Sequence, residues 1–183
     1  MSSATMSGIG DTAIAADVQH RRRVVVDVVL LLMRNGRILL RERANTGYGD
    51  GAYEPPTGQL ADRETIVETA IRVASAEAGI TISAGNVSLA HVMHDVSGSG
   101  RIAFFLTVSG WHGEHTSTVA GWFPVGNLPT NMLDRSRAAL RNYAEGMRFS
   151  TYPAFGPAGT GGPALPGASP WGAAVGWQDA FSA

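Results

Sequence analysis

The chain has 183 residues, 44% hydrophobic and 16% charged, with a formal net charge of −1. That length suits one domain with tails, and the apolar share is enough for a buried core, which excludes wholesale disorder. The near-zero charge excludes a protein held on nucleic acid by phosphate contacts, and the absence of Cys excludes disulfide scaffolds, thiolate metal sites and cysteine nucleophiles.

Residues 1–20 are small and polar, a flexible lead-in with no cation before an apolar run, so no secretory signal is expected. Arg21, Arg22 and Arg23 precede a β-branched apolar run, and residues 24–32 read as a buried strand. At about ten residues the run is half of what a bilayer span needs, and Asp27 interrupts it. No membrane partner and a cytoplasmic location are therefore expected. Asn35-Gly36 is a hairpin signal, so residues 37–41 return as a second strand. Residues 44–53 form a glycine-rich loop, and Glu54-Pro55-Pro56-Thr57-Gly58 is extended before a turn. Asp62 can cap a helix to Ala78, closed by Gly79, with Val67, Ala70, Ile71, Ala74 and Ala78 as its apolar stripe. Residues 87–96 and 101–109 are strands joined by a Ser/Gly turn, and residues 121–125 are a short strand. Residues 133–144 are a second helix, with Leu133, Ala138 or Arg137, Leu140 and Tyr143 facing inward.

The domain thus spans residues 21–150. Residues 151–183 are a Gly/Pro/Ala-rich tail with Asp179 as the only charged side chain. Such a composition supports neither long helices nor interior strands. The tail is either disordered or anchored across the domain or a partner by Trp171, Trp177 and Phe181. The element order is that of an α/β fold of the α+β sandwich type. No G-x-G-x-x-G or Walker phosphate loop occurs.

The specific stretch is residues 58–80. Gly58, Glu64, Arg72, Glu77, Gly79 and Ile80 stand at spacings that resemble the Nudix box, G-x5-E-x7-R-E-U-x-E-E-x-G-U, with U aliphatic. Ala74 fits one U position loosely, while Val73 and Ala76 stand where the pattern has glutamates. The strand–hairpin–strand before the box and the strands after it extend the resemblance over residues 23–148. It implies the Nudix fold, a mixed β-sheet packed between helices, and hydrolysis of the diphosphate bond in nucleoside diphosphates linked to another group. It also implies box glutamates that bind Mg²⁺ or Mn²⁺, a small nucleotide-like substrate and a homodimer. Gly58, Glu64, Arg72 and Gly79 are then structural parts of the box, and Glu77 the surviving catalytic metal ligand.

On an ideal helix Val73 lies about 40° from Glu77 and Ala76 about 100°, one common face, with Glu64 about 140° and Glu68 about 180° away. One carboxylate on that face is too few for a tight Mg²⁺ cage, so a cation would come bound to the substrate. The loss describes either drift after catalysis ended or a site remodelled for another ligand. The alternatives to a hydrolase with an impaired metal site are therefore a non-catalytic binding module and a metal-independent enzyme using His91 or His94. Those two histidines are three apart on a strand, so they face opposite sides and cannot share one metal. Arg41 and Arg43 share a strand face and can fork onto phosphate. Tyr48 and Tyr53 can stack on a base or pack in the core. His112, Glu114 and His115 form a last polar cluster, metal-binding or a solvated turn.

Overall fold

The computed structural model describes residues 24–97, 100–115 and 118–153. The lead-in at 1–20 and the anchors Trp171, Trp177 and Phe181 lie outside the described residues. The elements run β1 (Val25–Leu31), β2 (Met33–Arg34), β3 (Arg37–Glu42), β4 (Tyr53–Glu54), β5 (Thr57–Gln59), α1 (Ile66–Val73), β6 (Val87–Asp95), β7 (Arg101–Val108), β8 (Ala120–Pro124), α2 (Asp134–Ala144) and β9 (Phe149–Tyr152). The fold is α+β, with two mixed or antiparallel sheets and a helix on each side.

One five-stranded sheet has the order β5-β1-β7-β6-β9. β1 runs parallel to β7 over seven residues, Val25 opposite Arg101 through Leu31 opposite Thr107. β6 is antiparallel to β7 and parallel to β9. The second sheet is built on β3, which pairs with β2, β4 and β8, all antiparallel. The run read as one strand over 24–32 therefore serves two sheets, passing from β1 to β2 at Leu32. Asn35 (φ 51°) and Gly36 (φ 70°) make the tight turn that returns β2 into β3. Two successive left-handed residues match the twist of the flanking strands, and Asn and Gly tolerate that conformation best.

Two cores flank β1. Val29 and Leu31 pack with Ile38, Leu40, Met93 and Phe105 beneath α2. Val28, Leu30 and Leu32 pack with Ala70, Val73, Ala74 and Ala78 beneath α1. Burial on both faces explains why β1 reads as a continuous apolar run rather than an alternating one.

Three local expectations are corrected. Helix α1 starts after Thr65, not Asp62. Arg63 is in the left-handed region (φ 66°), so no helix can run through it. The Thr65 hydroxyl accepts from the Glu68 N–H at 3.2 Å, and the Glu68 carboxylate accepts from the Thr65 N–H at 2.8 Å, a complete capping box. The helix continues through Ala74–Ala78 as a π turn and ends at Gly79 (φ 70°, ψ 22°). In α2 it is Ser136, Ala139, Leu140 and Tyr143 that are buried. Strand β9 is an element that the tail composition conceals, and it crosses the expected boundary at residue 150. Its backbone completes the edge of the first sheet beside β6.

Candidate functional site

The loop–helix unit from Gly58 to Gly79 is held by one carboxylate. Arg72 donates to Glu64 through Nε at 2.8 Å and Nη2 at 2.7 Å, and Nη2 also reaches the Gln59 carbonyl at 2.9 Å. The Thr69 hydroxyl donates to the same carboxylate at 2.9 Å. Hydrogen bonds from Arg72 first, then Thr69, hold the Glu64 carboxyl down at about 2. Gly58 has a different task. A Cβ there would lie 2.5 Å from Val73 Cγ2, so only glycine lets α1 approach β5 this closely.

A cleft of about 800 Å³ opens between the end of β3, the β4–β5 segment, the π turn and the start of α2. Arg41, Arg43, Glu54, Gly58 and Glu77 line it, with Asp27, Asp95, Arg101 and Arg135 from the first sheet and α2. The charges alternate and are largely paired. Arg41 forms an ion pair with Glu77. Arg101 grips Asp27 through two bonds of 2.7 and 2.6 Å. Arg43 bonds Glu54, the Tyr48 carbonyl at 3.0 Å and the Thr46 hydroxyl at 3.0 Å, so its three nitrogens tie the glycine-rich loop to β4. Arg135 stands 3.8 Å from Glu54, beyond hydrogen-bond reach. Among the described residues Arg41 Nε and Glu54 Oε2 are buried without a hydrogen-bond partner, and Glu54 also lines a small inner pocket of about 20 Å³. That volume is room for about one water.

A family model described as "NUDIX domain" matches residues 21–143. The chain belongs to the Nudix family. A MutT Nudix hydrolase from Burkholderia pseudomallei is 26% identical, with a TM-score of 0.54 over 65% of this chain and 97% of that one. A Nudix hydrolase from Nitrosomonas europaea is 19% identical, with a TM-score of 0.55 over 72% of this chain and 80% of that one. A MutT protein from Bacillus halodurans is 19% identical, with a TM-score of 0.53 over 64% and 80%. Comparison with curated sequences gives no match.

Divalent cations are general to Nudix hydrolases, so the donors of this Nudix domain decide whether a resident metal fits. Val73 is 1% exposed within the core beneath α1, Ala76 is exposed, and only Glu77 lines the cleft. The straight-helix expectation that these three share a face fails for a physical reason. A π turn carries more residues per turn than an α turn, so the angular count breaks between 73 and 77. Among the described residues no three His, Asp or Glu side chains stand close enough to hold an ion. The one box carboxylate on the cleft, Glu77, is moreover occupied by a cation of the protein's own, Arg41. This donor set does not fit a resident Mg²⁺ or Mn²⁺.

The other candidates scatter. His91 is fully buried, with Nδ1 2.8 Å from the Met147 carbonyl and Nε2 2.8 Å from Ser150 Oγ. Burial pushes its pKa down, against the Met147 hydrogen bond. Both nitrogens tie β6 to the segment entering β9, away from the cleft lining. A register irregularity between Leu89 and His91 turns this ring inward. His94 lies outside the cleft lining, in the ladder opposite Ile102 and Thr151. Tyr53 packs edge-on against Phe123 at 4.9 Å, while Tyr48 stands 70% exposed at the cleft rim. Glu114 pairs with the exposed Arg34 at 3.2 Å, and His115 leans on Trp122. His112 lends its backbone to a bridge with Thr81.

The cleft also holds residues that the sequence does not single out as site residues: Asp27, Glu54, Asp95, Arg101 and Arg135. Only Asp27 carried a signal, a lone acid inside an apolar strand, which demands a partner. Its partner Arg101 stands 74 positions later, on another strand, which no local pattern reports.

Proposed function

We propose that this Nudix domain acts on a nucleotide-like small molecule, hydrolysing the diphosphate bond of a nucleoside diphosphate linked to a second group, with an impaired metal site. The observation that carries this is Glu77, the one box carboxylate on the cleft wall, which is held by Arg41. Family membership supplies the hydrolase prior. The size of the cleft, within the range of small-molecule sites, supports a ligand of that scale. Arg41 is the phosphate-facing residue of the β3 pair, while Arg43 shapes the loop. Exposed Tyr48 at the rim offers a ring for stacking. Any cation comes with the phosphates of the substrate. The protein pairs as a homodimer in solution, which light scattering would measure directly.

A second reading is favoured by the same ion pair: a cleft that binds without turnover, since Arg41 neutralises the box acid on the cleft wall. The deciding experiment offers nucleoside triphosphates, dinucleotides and nucleotide sugars with Mg²⁺ or Mn²⁺, alongside Glu77→Gln. Metal-dependent turnover that disappears in the variant supports the hydrolase. Equal, background rates from folded samples of both establish the binding module.

A further inference from the structure

We infer that the cleft holds its diphosphate group through its own arginines, with Arg41 exchanging Glu77 for phosphate oxygen, so that binding needs no divalent cation and Glu77 opposes it. This rests on the diphosphate ligand proposed above, but not on its hydrolysis.

Four arginines line the cleft, and their commitments differ. Arg43 spends every nitrogen on the glycine-rich loop and Glu54. Arg101 is bidentate on Asp27, which is 3% exposed. Those two are fixed parts of the wall. Arg41 holds Glu77 through one Nη and leaves Nε buried without a partner. Among the described residues Arg135 has one ion pair, its 3.8 Å contact with Glu54. Arg41 and Glu54 are directly opposite in the β3–β4 ladder, so their side chains share one face of the sheet. Arg135, drawn toward Glu54, therefore points to the same part of the cleft as Arg41.

A metal-bound diphosphate needs acids on the protein to hold the cation. Of the acids that line this cleft, Asp27, Glu54 and Glu77 are paired with Arg101, Arg43 and Arg41, and among the described residues no three stand close enough to hold a cation. The same charges suit a bare diphosphate. A guanidinium presents a planar fork that matches two phosphate oxygens. Arg41 and Glu77 keep 26% and 25% of their side-chain surface exposed and both line the cleft, so a ligand can reach the pair. Glu77 then has the opposite role from a box metal ligand. It competes with the phosphate for Arg41 and repels it.

The test is calorimetric titration with inorganic diphosphate, and with ADP, in EDTA and in Mg²⁺. It uses the full-length wild type, Glu77→Gln and Arg41→Gln, with circular dichroism to confirm folding. Wild type should bind both probes in EDTA. Glu77→Gln should tighten binding by about threefold or more, and Arg41→Gln should weaken it by about tenfold. Binding that appears only with Mg²⁺, or that weakens in Glu77→Gln, overturns the inference, as does no binding in either buffer. Should a variant misfold, the wild-type comparison of EDTA with Mg²⁺ still decides. Hydrolysis is read separately. Diphosphate bound in EDTA without turnover refutes the hydrolase and leaves this inference standing. Turnover with Mg²⁺-dependent binding does the reverse.

Discussion

The two ends of the box helix have had different fates. At its start, Glu64, Thr69 and Gly58, with Arg72 reaching back from the last turn, form a closed set in which each polar group has a partner and the glycine has a packing reason. At its end, Val73 has turned into the core, Ala76 faces solvent without charge, and Glu77 is held by Arg41. The first end stabilises the fold whatever the chemistry. The second matters only to a ligand. A box can therefore keep its architecture while its carboxylate face changes, and matches at the two ends carry different information.

The sharpest way to break this contrast is to restore the acids. Val73→Glu should destabilise the domain by about 3 kcal/mol or more, because the carboxylate would enter a core with no partner. Ala76→Glu, at an exposed position, should stay within about 0.5 kcal/mol. Urea unfolding of both variants measures the difference, and a well-tolerated Val73→Glu would place position 73 on the cleft after all.

Next in size is Gly58→Ala, expected to cost about 1–3 kcal/mol by overpacking against Val73. Adding Val73→Ala should recover part of that loss. A double-mutant cycle with no coupling would show that the glycine answers to something other than this contact.

Acid titration sharpens the scaffold side. The Glu64 carboxyl is held at about 2 in the folded chain, well below its ordinary 4.5. The unfolded chain thus binds the proton first as pH falls, and the stability this pair contributes is present above about 4.5 and lost toward 2. Melting temperature followed from pH 6 to pH 3 should fall, and Glu64→Gln should flatten that limb while lowering the plateau.

A smaller effect belongs to His91. Its lowered pKa means that folding disfavours the protonated ring, so its contribution is full above about 6.5 and declines as pH falls below that. The melting temperature should drop between pH 7 and pH 5.5, and less so in His91→Gln. Equal slopes in both proteins would mean that another group sets this limb.

Much of the architecture is legible in the sequence because it is written locally. Asn35-Gly36 specifies its turn, Gly79 its helix end, and the β-branched run its buried strand. The misses share a cause. Thr65 took the cap from Asp62 because a left-handed Arg63 intervenes, and β9 forms in an unpromising segment because β6 offers it an edge. The cleft is the least legible part. Glu54 and Arg135 meet only after β4 and α2 are packed, and the change of helical pitch at Ala74 removes Val73 from the face where a helical wheel puts it.

The parallel pairing of β1 with β7 has a consequence for synthesis. β1 leaves the ribosome early, and its short partner β5 follows within about thirty residues, but its seven-residue ladder with β7 must wait until residue 107 has emerged. At ordinary translation rates of about 5–20 residues per second, that delay is on the order of 4–15 s. During it the most apolar of the described strands has one edge open, and the nascent domain is most exposed to aggregation before its last third exists.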